Sequence, residues 1–271
     1  ISGSGAGIEN YTLGPGAVSV AWIRGDANDV DYRVDGDSDV NINYIDLRYA
    51  GWKPWAGAWT EVGIDYAMPN PTNKQKEYGG LYEADNGVMV TGEISQDMLG
   101  GYNKLVLQYA NKGLAQNMLS QGVGCYDMWN YVNDASGYRV INTGLIPITD
   151  KLSFNHVLTW GSADDTTQFT DKSRLVSLVG RAQYQFTEYV RLIGEVGGFY
   201  QKDTYTDGSS YKQSGEKYTL ALGLADGPDF MSRPELRVFA SYLNDSEKGQ
   251  SFEDGTANNT WNVGVQVEAW W

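Results

Sequence analysis

The chain closes on an alternation that few folds can accommodate. Its last eleven residues read Trp261-Asn262-Val263-Gly264-Val265-Gln266-Val267-Glu268-Ala269-Trp270-Trp271, apolar at odd positions and polar or Gly at even ones until Trp270. A β-strand sends successive side chains to opposite faces, so this segment has one oily and one wet face. Its length matches one tilted pass through the apolar band of a bilayer, about 9–11 residues. The chain then stops on aromatics, at the height where membrane barrels carry their girdles. The same parity places Trp270 with Gln266 and Glu268 on the wet face, where a large ring offers a surface on which a ligand can stack.

Period-2 segments recur through the chain, separated by Gly, Asn, Asp and Pro clusters. The pattern predicts strands over residues 16–24, 40–49, 58–68, 87–95, 102–110, 138–146, 151–161, 174–186, 190–201, 217–225, 235–243 and 262–271. These make about twelve antiparallel strands, an even number as bacterial membrane barrels have. The best helical candidate is 111–120, with a loop turn equally compatible. Short turns at 146–151 and 186–190 contrast with longer connections at 111–137 and 201–216. Short turns on one rim and long loops on the other are a membrane-barrel pattern.

Parity assigns the faces. Val176, Leu178, Ala182, Tyr184 and Phe186 oppose Arg181, Gln183 and Gln185. Val190, Leu192, Val196 and Tyr200 oppose Arg191, Glu195 and Gln201, and Leu236, Val238, Ala240 and Tyr242 oppose Glu235, Arg237 and Ser241. A charge on a lipid face costs about 2–4 kcal/mol at the midplane, so the polar face has to be the lumen. The same charges packed into a small dry barrel would be buried at high cost, which calls for a wide, wet interior. Wide pores usually take 16–18 strands. At the spacing seen here that needs roughly 350–400 residues, so these 271 residues read as one domain, 1–271, forming about two thirds of a barrel. The opening at Ile1 carries no initiator Met and no basic or apolar leader. The expectation is a removed signal or a piece of a longer chain.

Composition excludes other classes. Mean hydropathy is −0.43, and no uninterrupted apolar run approaches the ~18 residues of a membrane helix. The net charge of −14 argues against nucleic acid, because phosphate binding takes Lys and Arg clusters. The acids gather in turn-like stretches at 26–39, 164–165, 203–207 and 253–254. They are read as solvated loops, with divalent-ion binding by outer loops as the sharper alternative. Asp35-Gly36-Asp37-Ser38-Asp39 lacks the downstream Glu of a calcium loop. Gly3-Ser4-Gly5-Ala6-Gly7 is followed by no Gly-Lys-[Ser/Thr] and is expected to be a flexible turn rather than a phosphate cradle. Nothing frames Asp164-Asp165 as a catalytic pair. Cys125, the single cysteine, has no His-Asp/Asn set nearby and reads as inert. His156 shares the apolar parity of Leu152, Phe154 and Leu158, which points to a subunit contact or a rim rather than a metal. No cofactor or metal motif and no catalytic set stand out.

Several stretches resemble the maltoporin family of sugar-specific outer-membrane porins. They are Ile1-Ser2-Gly3-Ser4-Gly5-Ala6-Gly7-Ile8-Glu9-Asn10, Gly100-Gly101-Tyr102-Asn103-Lys104-Leu105-Val106-Leu107-Gln108-Tyr109-Ala110, Leu119-Ser120-Gln121-Gly122, Ser232-Arg233-Pro234-Glu235-Leu236-Arg237-Val238-Phe239 and Glu268-Ala269-Trp270-Trp271. The opening stretch resembles one well inside the family's chain, so about the N-terminal third of the family's sequence has no counterpart here. The resemblance implies an all-β, antiparallel transmembrane barrel of eighteen strands, assembled as a homotrimer in the outer membrane of a Gram-negative bacterium. It would contact lipid and lipopolysaccharide and would take maltodextrin or another oligosaccharide rather than nucleic acid. It further implies passive diffusion of sugar along a lumenal aromatic slide, with no cofactor and no enzymatic step. By position, Tyr102 falls where the family has a slide Phe, Trp270 on a slide Trp, and Met231 where a slide Trp is expected. Met231 removes a flat stacking surface, though a thioether still packs on apolar sugar faces. Parity supplies lumenal polar candidates: Lys104 and Gln108 on the face of Tyr102, Glu235 and Arg237 on the expected face of Met231, then Arg181, Gln183, Arg191, Glu195, Gln266 and Glu268. The alternatives are a soluble carbohydrate-binding or glycoside-hydrolysing β-sandwich, and a general diffusion porin with no slide.

Overall fold

The computed structural model describes residues 3–27, 40–77, 82–119, 126–247 and 258–269. Thirteen strands follow one another antiparallel in a single sheet, in chain order. They are β1 (Gly3–Leu13), β2 (Gly16–Ala27), β3 (Val40–Trp52), β4 (Ala58–Asn70), β5 (Gly87–Met98), β6 (Gly101–Asn111) and β7 (Ser136–Pro147). The remainder are β8 (Leu152–Thr167), β9 (Thr170–Gln185), β10 (Val190–Tyr205), β11 (Ser210–Ala225), β12 (Glu235–Asp245) and β13 (Asn259–Glu268). No second sheet forms among the described residues, which removes the sandwich alternative. No described helix is long and apolar enough to cross a membrane.

The strands anticipated from alternation are β2 to β13. The additional one, β1, contains the Gly3–Gly7 stretch expected to be a flexible turn. Its glycines serve close approach instead. A Cβ on Gly5 would lie 2.5 Å from the Trp22 carbonyl oxygen, and one on Gly7 would lie 2.7 Å from that of Val20. Glycine admits the tight β1–β2 pairing, and its lack of side chains hides the alternation that marks the other strands.

The faces are inverted relative to a water-soluble sheet. On β10 to β12, Leu220, Leu222, Leu224 and Val238 are 52–59% exposed, whereas Arg191, Glu235 and Ser241 on the opposite face are 1–2% exposed. Polar side chains therefore occupy the concave face and hydrocarbon the convex one, as in the wall of a wet-cored membrane barrel. Val263, Val265 and Val267 are 67–73% exposed and have no second sheet against them.

Connections alternate between the two rims. Residues 14–15, 53–57, 99–100, 148–151 and 186–189 make tight turns on one rim, and 226–234 is a longer connector on that same rim. The opposite rim carries the connections 71–86 and 112–135, but also the tight turns 168–169 and 206–209. The long loop expected over 201–216 is thus mostly strand: β10 and β11 pair as far as Thr204↔Ser210. The stretch 35–39, Cys125 and the acids 253–254 lie outside the described residues.

Connection 112–135 folds inward. It carries 3-10 segments Lys112–Met118 and Asn130–Asp134, which meets the helical expectation with a tighter helix. Leu114, Met118 and Met128 join Val40, Ile42, Tyr44, Ala67 and Ala110 in one buried apolar cluster. Gly161 of β8 allows this, because a Cβ there would fall 2.1 Å from the Met118 carbonyl oxygen. The inner face is therefore dry under this connection and mixed elsewhere, with polar side chains beside apolar ones such as Val179, Phe199 and Leu243.

Candidate functional site

The inner face gathers the polar candidates into three groups. The first lines β5–β7. Lys104 Nζ lies 2.6 Å from Glu93 Oε1. The Gln108 amide donates to Thr91 Oγ1 at 3.0 Å and accepts from Arg139 Nε at 2.7 Å. Arg139 in turn donates to the Asn117 carbonyl at 2.9 Å, tying the wall to the infolded connection. Tyr102 begins this strand, paired across from Asp97 and Leu145 at the short-turn end.

The second group lies on β9–β11. Arg181 donates to Glu195 Oε2 from Nε at 2.9 Å and from Nη2 at 2.6 Å. Lys217 Nζ stands 3.8 Å from the other carboxylate oxygen.

The third group sits at the short-turn rim and is the most enclosed. Arg191 is 1% exposed and Glu235 2%. Arg191 Nη1 donates to Gln183 Oε1 at 3.3 Å and to Glu235 Oε2 at 3.3 Å. The same guanidinium donates to the carbonyls of Gly227 at 2.7 Å and Asp229 at 3.2 Å. Arg237 Nε lies 2.8 Å from Glu235 Oε1, and its Nη2 meets the Glu268 carboxylate. Arg233 Nη2 also reaches Glu268, at 2.9 Å. Three guanidiniums thus face two carboxylates, and connector carbonyls accept further donors of Arg191. Gln266 pairs opposite Arg237 on β13 and is exposed.

Arg191 explains the path of connector 226–234. Its backbone is drawn onto the inner face, and Gln185 adds a bond to the Pro228 carbonyl. Met231 lies in this connector at 57% exposure rather than on a strand, so strand parity with Glu235 and Arg237 does not extend to it. Pro228, Asp229 and Phe230 face Gly100, Gly101 and Leu145 across a hollow of about 270 Å³. Tyr102 and Met231 directly follow these lining segments in the chain. Trp270 lies outside the described residues.

Arg233, Lys217, Arg139 and Glu93 were not among the sequence candidates. Lys217 and Glu93 fall within anticipated strands, and face-by-face parity would have found them. Arg233 sits in a connector, where parity has no meaning.

Other anticipated features are also placed. His156 lies on the outer face, with Nε2 2.9 Å from Asn142 Oδ1 and its ring stacked with Phe154. Asp164 is at the far end of β8, paired with Lys172 Nζ at 2.9 Å. In the infolded connection, Asp127 accepts from Trp129 N at 3.0 Å and from the Tyr131 hydroxyl at 3.1 Å. Burial raises the Asp127 carboxyl above its usual range despite those bonds. Burial likewise raises the Tyr131 phenol, with the Asp127 charge adding to it.

The comparisons with known proteins agree with this geometry. The family model described as LamB porin matches residues 1–271. Maltoporin 1 of Klebsiella pneumoniae subsp. pneumoniae is 85% identical, aligned over 100% of this chain and 64% of its own length. Maltoporin 2 of Yersinia pestis is 83% identical over 100% of this chain and 65% of its own length. Maltoporin 1 of Aeromonas salmonicida is 56% identical, over 100% and 63%. The chain thus spans just under two thirds of the length of these relatives. Among solved structures it is similar to OmpTdeltaL8, a loop L8 deletion mutant of OmpT, an outer membrane protein of Vibrio cholerae. That likeness has TM-score 0.45 and 11% identity, over 90% of this chain and 86% of the other, too distant to carry weight. The setting is the outer membrane of a Gram-negative bacterium. With a family match from end to end and a sheet that is wet on its concave side and oily on its convex side, the chain belongs to the LamB porin family.

Proposed function

We propose that these residues form much of the wall of a channel through which maltodextrins or related oligosaccharides diffuse passively, with no covalent chemistry. The observation that carries this reading is the inverted sheet. Charged and amide side chains line its concave face, while Leu220, Leu222, Leu224 and Val238 cover the outside. The maltoporin relatives supply the sugar class. Tyr102 and Met231, at the short-turn end, would form part of the sugar track to which the resemblance also assigns Trp270. Lys104, Gln108, Arg181, Gln183, Arg191, Glu195, Glu235, Arg237, Gln266 and Glu268 would offer partners to hydroxyls or hold the wall that does. A pyranose has apolar C–H faces and a hydroxyl rim, and rings beside charges complement both.

The full assembly in this reading is an eighteen-stranded barrel in a homotrimer, in contact with lipid and lipopolysaccharide. Among the described residues, β1 and β13 each pair with one neighbour. Unpaired strand edges do not persist in hydrocarbon, so these strands call for further partners or for each other.

Conduction needs binding sites weak enough to release. Affinity near millimolar is expected, about −4 kcal/mol. Planar-bilayer recordings of a channel of the relatives' length carrying these residues test it. Added maltodextrin should block ion current in the millimolar range, and Trp270→Ala should weaken the block. A current indifferent to sugar would make this a general diffusion pore instead.

A further inference from the structure

Far above Tyr102 and Met231, the inner face carries another aromatic. Phe199 stands on β10 at the same parity as Arg191 and Glu195, paired between Ser177 of β9 and Gly215 of β11. It lies eight positions beyond Arg191, roughly 26 Å along the strand, so it is separate from the short-turn charge cluster. The ring is 46% exposed on this face, with the exposed Tyr211 nearer the far rim. It leans over Gly215, where a Cβ would come within 3.3 Å of the ring. Beside it is a hollow of about 380 Å³ walled by Val179 and Leu243. Glu195 and Lys217 also line this hollow. Glu195 is fixed by Arg181 at 2.6 Å, whereas Lys217 is half exposed and only loosely held, 3.8 Å from the carboxylate.

The ring lies on the face away from lipid and outside the buried apolar cluster, and its cover of Gly215 still leaves nearly half of it open. What the hollow presents is an apolar plane and aliphatic wall next to an oriented carboxylate and an ammonium with donors to spare. That is the complement of a pyranose, whose C–H face is apolar and whose edge is hydroxyl. We infer that Phe199, with Glu195 and Lys217, forms a further contact point for a pyranose unit of the passing oligosaccharide, on the side of the channel away from the short turns. The inference rests on the sugar-channel reading above and adds a site to it.

The experiment is sugar block of single-channel current in a channel of the relatives' length bearing Phe199→Ala, Phe199→Leu or Phe199→Trp. Phe199→Ala and Phe199→Leu should weaken maltodextrin block roughly three- to tenfold, the range expected for losing one aromatic contact. Phe199→Trp should retain it, and sugar-free conductance should report an intact wall in all three. Should the Ala variant fail to assemble, the Leu variant keeps the bulk without the flat ring and gives the same test. A parent channel that sugar blocks, together with Ala and Leu variants blocked equally well, overturns this site and leaves the channel reading standing. A parent that no maltodextrin blocks overturns both.

Discussion

Arg191 shows how one side chain can set the course of a connection far away in sequence. Its guanidinium is the shared partner of Gln183, Glu235 and the carbonyls of Gly227 and Asp229. Replacing it with Met would leave those carbonyls without a donor and strip one cation from a buried cluster. Such losses cost about 3–5 kcal/mol. Arg191→Met should therefore lower resistance of the folded protein to denaturant by that amount and expose 226–234 to protease. Arg181→Met removes a pair that water can partly replace and should cost about 1 kcal/mol. Equal losses from the two variants would show that Arg191 does not anchor the connector. Asp127 carries a pH dependence of the opposite kind to a paired carboxylate. Burial raises its folded-state value, so the folded connection binds the proton more tightly than the unfolded chain does. Stability of 126–134 should fall as pH rises from the ordinary carboxylate value, about 3.9, through the raised one, and level off above it. Hydrogen-exchange protection there, corrected for the intrinsic pH dependence of exchange, should follow that course. Asp127→Asn keeps an acceptor for the Trp129 amide and should flatten it. An unchanged slope in the variant would assign the dependence to another group.

At the scale of elements, strands and the short turns at 148–151 and 186–189 were readable, and the courses of the longer connections were not. β2 to β13 announce themselves because one face meets hydrocarbon and the other water, and a period of two is all that takes. β1 escaped because Gly3, Gly5 and Gly7 leave half of the pattern blank. The inward fold of connection 112–135 escaped for a different reason. Its buried residues Leu114, Met118 and Met128 follow no period of two and find partners in β3 and β4, far off in the chain, while Val132 packs with Ala115 and Ala135 of the connection itself. Parity marked Gln183, Arg191 and Glu235 as inward, but it carried no hint that Arg191 would reach backbone 36 to 39 positions away. The dry patch of Val40, Ile42 and Tyr44 is likewise legible only once the 3-10 segment that covers it is in place. For the proposed sugar track, the resemblance named Tyr102, Met231 and Trp270, while Phe199 is proposed from its open hollow alone.

The whole molecule rests on a division between neighbours that can be tested two residues at a time. Leu220 and Thr219 are adjacent on β11, yet Leu220 is 59% exposed on the convex face. Thr219 faces the other way, with its hydroxyl 2.7 Å from Ser241 Oγ and Glu195 across the register. In a bilayer, arginine at Leu220 has to hold its charge in hydrocarbon, about 2–4 kcal/mol at the midplane. Arginine at Thr219 enters water beside an existing carboxylate and should cost no more than about 1 kcal/mol. Folding of Leu220→Arg and Thr219→Arg into lipid vesicles, followed by denaturant titration, should separate them by at least the difference between those figures. In a water-soluble sheet the order reverses, because the exposed Leu220 position would accept a charge freely and the covered Thr219 position would not. The sign of one comparison thus decides which side of the sheet faces lipid, and every lumenal role assigned to Arg181, Glu195, Phe199 and Lys217 depends on that sign.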